Sequence, residues 1–201
     1  MVMVASGLSS GTISYMSEKL ARKIALVGTS CIGKTELLDK YRRKSKKDSR
    51  ITVVEEAAMQ YFAANKIKDK FSEASQFAIQ SLALNLEALA ERYGRLRTFC
   101  DRSVLDAPAY LRGIGNVEGS ERLLQRVAFW LPTYTSIVLL DPSGIDYRQD
   151  DIRDETPETR LLFHEGFLAM FAEHKIPYQL VSGTLSERIK QIDSIAHISE
   201  L

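Results

Sequence analysis

Cysteine is scarce in this 201-residue chain: only Cys31 and Cys100 occur, with no CxxC pair. That excludes a disulfide-stapled fold and the common zinc spacings, and it fits a reducing, cytoplasmic setting. The three histidines, His164, His174 and His197, have no spacing that makes a metal site or a catalytic triad. Long apolar runs are missing too. No stretch reaches the roughly 18–20 residues that cross a bilayer, so no membrane partner is expected. Excess charge of one sign is also lacking: 27 Lys and Arg face 26 Asp and Glu, a net charge of +1. No global field therefore calls for nucleic acid or an anionic membrane. Residues 1–22 lack the basic start and apolar centre of a signal peptide. They read as a leader of no assigned function, ahead of a single domain at 23–201.

What the chain does have is alternation. Lys23–Gly28 is an apolar run ending in Gly, the pattern of a buried strand. A helix follows from Lys34 to about Lys46, a β-branched strand at Arg50–Val54 and a helix at Glu55–Ala64. Ser72 is placed to cap a long helix that ends near Tyr93, with Ile79, Leu82, Leu86 and Leu89 at helical spacing. Arg97–Asp101 is a strand, Val104–Arg112 and Glu118–Leu131 are helical, and Ser136–Asp141 is a strand. Helix Glu158–His174, strand Tyr178–Val181 and helix Ser186–His197 complete the chain. Strands alternating with helices imply an α/β fold with a parallel sheet covered on both faces. Trp130, with Val127 and Leu131 at helical spacing, is expected in the core, as are Tyr61 and Phe62.

One motif stands out. Gly28-Thr29-Ser30-Cys31-Ile32-Gly33-Lys34-Thr35 matches G-x-x-x-x-G-K-[ST] in full, between a strand and a helix. Gly28 lets the chain leave the strand sharply, and Gly33 lets backbone amides approach phosphate oxygens. The helix N-terminus adds free N–H groups and a favourable dipole. Lys34 would bridge the β- and γ-phosphates of ATP, and the Thr35 hydroxyl would coordinate Mg²⁺. Glu36 follows in the first helical turn. Cys31 is read as an ordinary loop position, although a helix N-terminus can depress a thiol pKa.

A phosphate loop of this kind needs a second acid at a neighbouring strand end. Asp141 ends the more apolar strand, "SIVLLD". Asp101 ends "RTFCD" and is followed by Arg102 and Ser103. "FCDRSVLDAPAYL", Phe99–Leu111, resembles the acid-Arg-Ser segment of nucleoside kinases. Together with the loop, "VVEEAA" at Val53–Ala58 and "YRQDDIRDETPETR" at Tyr147–Arg160, it resembles the P-loop ATPase/kinase family that includes the ribosylnicotinamide kinase domain. The resemblance runs from about Lys23 to about Ile192. It implies a three-layer fold with a five-stranded parallel sheet in the order 2-3-1-4-5. It also implies that Asp101 meets the metal shell, that Arg102 reaches phosphate and that Glu56, or its neighbour Glu55, contacts the acceptor hydroxyl. Asp141 is then a strand-end residue and "DPSG" a turn.

Arg148, Arg153 and Arg160 lie in a polar stretch, about 145–160, that reads as a basic lid over the nucleotide, with Arg153 the first choice. "DKYRRKSKKDSR", Asp39–Arg50, holds seven basic residues. It reads as a solvated helix end, so nucleic acid is not the expected partner. The expected function is Mg²⁺- and ATP-dependent phosphoryl transfer to a small-molecule hydroxyl, with Lys34, Glu56 or Glu55, Arg102 and Arg153 catalytic. A switch ATPase acting through a protein partner, and a polynucleotide kinase, are the alternatives.

Overall fold

The structure, a computed structural model, describes residues 21–66, 69–93, 95–145 and 156–198. Its elements are β1 (Arg22–Val27), α1 (Lys34–Ser45), β2 (Ile51–Val54), α2 (Ala57–Ala64), α3 (Glu73–Glu91), β3 (Arg97–Asp101) and α4 (Asp106–Gly113). There follow α5 (Val117–Val127), a 3₁₀ turn (Ala128–Thr133), β4 (Ser136–Leu140), α6 (Pro157–Glu173), β5 (Gln179–Val181) and α7 (Leu185–Ile195). The strands form one sheet in the order β2-β3-β1-β4-β5, and every neighbouring pair is parallel. The α/β class and the strand order agree with the expectation.

The central strands are apolar throughout because both faces are covered. Alternation sorts them: Ile24, Leu26 and Phe99 pack with Leu38, Tyr41 and Ile192 on one face. Ala25, Val27, Ile137 and Leu139 pack with Phe163, Phe167 and Met170 on the other. Tyr41 stacks on Phe99 with ring centroids 3.9 Å apart. On the second face α4 and α6 lie very close. A Cβ at Gly166 would stand 2.4 Å from the Ala109 carbonyl oxygen, so only glycine fits there.

Side chains cap several helices: Ser72 caps α3, as expected, and Asn116 caps α5, Thr156 caps α6 and a Thr184–Glu187 capping box starts α7. Most boundaries shift by a residue or two, and two of the differences have a plain physical consequence. The helix expected to reach Leu131 turns into a 3₁₀ turn after Val127. Pro132 lacks an N–H and its ring would clash with a carbonyl one turn back, so α-helix cannot continue through it. The second helix starts at Ala57 and not at Glu55, which frees both glutamates from the helix barrel. Among the described residues, no helix is long and apolar enough to cross a membrane.

At the start of β1 a buried polar cluster ties the sheet to α3. Lys23 Nζ meets Glu87 at 2.8 Å, Glu91 at 2.9 Å and Thr133 Oγ1 at 2.9 Å. It also lies 4.2 Å from the Trp130 ring centroid and 4.6 Å from that of Tyr134. Glu87 accepts from Trp130 Nε1 and the Tyr134 hydroxyl, each at 2.8 Å. Trp130 is thus packed against the core, as expected.

Candidate phosphate-binding site

The loop from Gly28 to Gly33 leaves the carboxyl end of β1, the central strand. Gly33 sits at the N-cap of α1 with φ 77°, a left-handed value that a side chain tolerates poorly. It offers no side-chain cap, so the first amides of α1 have no side-chain acceptor. A free helix N-terminus of this kind suits an anion. Thr29, Ser30 and Ile32 are buried, Cys31 is half-buried at φ 52°, and Thr35 and Glu36 are exposed on the first turn of α1.

Lys34 is buried and folds back on the loop, donating from Nζ to the carbonyl oxygens of Gly28 and Thr29. Burial, then the neighbouring Arg102 charge, lowers its pKa from 10.5 to about 7. Three arginines grip the loop's carbonyls from outside. Arg102 Nη1 reaches Gly28 O at 2.9 Å, Arg160 Nη1 reaches Cys31 O at 3.5 Å, and Arg188 Nη1 reaches Ile32 O at 3.2 Å.

Asp101 pairs in register with Leu26 of β1, which sets it beside the loop. Its Oδ2 accepts from Arg42 at 3.0 Å, while its buried Oδ1 has no hydrogen-bond partner. Burial, then the nearby Glu56 charge, raises its pKa. Buried polar atoms are rarely left unpaired, and an oxygen in this position suits a cation or its water shell.

The two glutamates part company. Glu55 is exposed and held by Arg42, at 2.9 Å from Nε and 2.5 Å from Nη2. Glu56 occupies the N-cap of α2 without capping it, and its Oε1 accepts from Arg102 Nε at 2.6 Å. Arg102 has φ 68°, a strained value of the sort that clusters at functional sites. Its guanidinium also meets Asp106 at 3.1 Å and the Tyr110 hydroxyl at 2.9 Å. Burial raises Asp106 to about 6 against the pull of Arg102. The Tyr110 ring stacks on Phe163 at 4.2 Å. Lys34, Glu56, Asp101, Arg102 and Asp106 thus share one electrostatic neighbourhood.

Other expectations fall elsewhere. Arg160 is not on a loop but in the first turn of α6, buried, with Nη2 donating to Ile145 O at 3.1 Å. Arg148 and Arg153 lie outside the described residues. Asp141 forms the expected turn, its Oδ1 accepting from Ser143 N at 2.9 Å. Tyr61 and Phe62 pack against the core. His174 does gather with Glu121 and Glu173, against the expectation from spacing. Arg112 already bonds both carboxylates, so the group is an ion-pair cluster.

Two residues escaped sequence reasoning. Arg188 is 2% exposed. Besides Ile32 O, it donates to Gly183 O at 2.8 Å and Asp141 O at 2.7 Å, joining three loops. Its signal was faint: Arg188 and Ile192 stand one helical turn apart on the buried face of α7. Arg42 bridges Asp101 and Glu55, and nothing in the basic run marked it out from its neighbours.

Comparison with known proteins places this geometry. A family described as an AAA domain matches residues 23–188. No curated protein sequence matches the chain. Among solved structures, the NadR protein in complex with NAD and AMP-PNP is similar at TM-score 0.66 and 18% identity, covering 92% of this chain and 52% of that one. The NadR protein in complex with NR is similar at 0.67 and 16%, covering 92% and 53%. The chain therefore spans about half the length of the NadR chains. A deoxyadenosine kinase from M. mycoides, with products dCMP and a flexible dCDP bound, is similar at 0.54 and 16%, covering 86% and 97%. At such identities the likeness is one of fold, that of P-loop kinases. Since the family match takes in the loop, both strand-end acids and Arg188, the chain belongs to the AAA-domain family of P-loop proteins.

Proposed function

We propose that the protein is a Mg²⁺- and ATP-dependent phosphotransferase acting on a small-molecule hydroxyl. The observation that carries this reading is the unpartnered, buried Oδ1 of Asp101 beside Lys34 and the open N-terminus of α1. A triphosphate at the loop would draw Lys34 off its own backbone carbonyls and restore its charge. Thr35 and Asp101 would hold Mg²⁺, which when bound neutralises phosphate oxygens. Of the two candidates for the acceptor hydroxyl, Glu56 is favoured because it is bonded to Arg102 beside the loop, whereas Glu55 is exposed and bonded to Arg42, which also holds Asp101. Arg102 would steady the transferring phosphoryl group. Arg148 and Arg153, between β4 and α6, would close over the nucleotide, and excluding water favours transfer over hydrolysis. The NadR and deoxyadenosine kinase complexes suggest nucleoside-like acceptors as the first class to try.

The test is incubation with γ-labelled ATP, Mg²⁺ and pools of nucleosides, pyridine ribosides, other coenzyme precursors and 5′-hydroxyl oligonucleotides. Label should move to one small-molecule pool. Slow phosphate release without transfer would replace this reading with the switch ATPase, and label on oligonucleotides with the polynucleotide kinase. Glu56→Gln should lower turnover by about 10²-fold or more, whereas Glu55→Gln should leave it nearly unchanged.

A further inference from the structure

The basic run on α1 borders a groove. Lys40, Lys44 and Lys47 stand at i, i+4 and i+7, so they form one stripe along α1 and the turn after it. That stripe lines a groove of about 1270 Å³ between α1, α7 and the starts of β2 and β3. The groove lies at the amino ends of the strands, away from the phosphate loop. Leu185, Ile189 and Lys190 of α7 line it too. Aliphatic Ile51, Leu96 and Ile198 add apolar surface within it. A bridge from Lys40 to Asp193 at 2.5 Å, with the Tyr41 hydroxyl donating to Asp193 at 3.0 Å, ties the two helices together. Lys44 and Lys47 have no ion-pair partner among the described residues.

The helix dipole accounts for cations in the last turn of α1. It does not account for Lys190 in the middle of α7, nor for the aliphatic lining between the charged walls. We propose that this groove docks an acidic amphipathic helix of a partner protein. Its carboxylates would meet the lysine stripe and Lys190, and its aliphatic face would cover Ile51, Leu96 and Ile189. Lysines at helical spacing match acids at helical spacing, which is the helix-in-groove mode of recognition. A polynucleotide fits less well, because no Phe, Tyr or Trp lines the groove for bases to stack on and His197 is the one ring among the lining residues described. An anionic lipid surface would meet the cations but leave a concave apolar floor uncovered.

The test is fluorescence anisotropy on the full chain with four probes. These are a labelled helical peptide of about 14 residues, about 21 Å long, with Glu on one stripe and Leu on another; a scrambled peptide of the same composition; an oligonucleotide of similar charge; and vesicles of phosphatidylglycerol and phosphatidylcholine. The amphipathic helix should bind at least about tenfold tighter than the scrambled peptide, and binding should weaken with salt. The triple variant Lys44→Glu, Lys47→Glu, Lys190→Glu should lose about tenfold or more in peptide affinity while keeping its ATP affinity and melting temperature. Absence of binding, equal binding of the scrambled peptide, preference for oligonucleotide or vesicle, or indifference to the triple variant would each overturn the proposal. Because ATP binding is measured separately, failure here leaves the phosphotransferase reading standing.

Discussion

Two buried lysines, Lys23 within β1 and Lys34 just past the loop that follows it, have opposite surroundings. Lys23 and Lys34 are each 6% exposed. Lys23 is surrounded by carboxylates, a hydroxyl and two aromatic faces. Lys34 has only backbone carbonyls as hydrogen-bond acceptors; Arg102 opposes its charge, and Glu56, Asp101 and Asp106 favour it without forming an ion pair to it. Burying a charge is costly unless it is paired. The first lysine therefore supports the fold, and under the proposed function the second is kept for an anion. The two differ not in burial but in whether a counter-charge touches them.

The strongest way to break the comparison is at Lys23. Lys23→Ala leaves Glu87 buried without its cation and should destabilise the protein by about 3–5 kcal/mol, read by urea denaturation. Nucleotide affinity of the folded fraction should not change. Lys34→Ala should do the reverse. Phosphate transfer should fall by about 10²–10³-fold. The folded Lys34 holds its proton less tightly than the unfolded chain, so the empty protein gains stability as pH rises from about 7 to 10.5. The cost of burying the charge is complete below about pH 7, and Lys34→Ala should there melt no lower than the parent. A clear fall in its melting temperature would make Lys34 a structural residue.

A milder probe of the paired end is Tyr134→Phe, which removes a 2.8 Å donor to Glu87. It should cost about 1.5–3 kcal/mol, as expected for a hydrogen bond to a charged group, with turnover intact. The smallest effect sharpens the frustrated end. A bound triphosphate restores charge to Lys34, so binding takes up a proton above about pH 7. ATP affinity should fall toward about tenfold per pH unit between about pH 7.5 and 8.5. Calorimetry in two buffers of different ionisation enthalpy measures that uptake, and its absence would show that Lys34 is charged before nucleotide arrives.

Much of this was legible in the sequence. The loop is local: its pattern depends on neighbours in the chain, so Gly28, Gly33, Lys34 and Thr35 can be read directly. Strands such as Ser136–Leu140 and caps such as Ser72 are local as well. The metal role expected of Asp101 comes from a family resemblance; what the structure adds is a buried Oδ1 without a hydrogen-bond partner. Glu55 and Glu56 could not be told apart, because the deciding contacts come from Arg42 and Arg102, far away in the chain. Arg188 was missed for the same reason. Its partners are backbone carbonyls, which carry no sequence identity. The groove at Lys44 and Lys47 needed the last helix to give the basic run a second wall.

The arginines outside the loop have a consequence for what lies within it. A trans peptide unit points its C=O and the next N–H in opposite directions. Anchoring the oxygens of Cys31 and Ile32 on Arg160 and Arg188 therefore turns the amides of Ile32 and Gly33 away from those arginines. The polarity of that stretch of backbone is set before any guest enters, so under the proposed function the rearrangement left for an arriving anion to impose is chiefly that of Lys34.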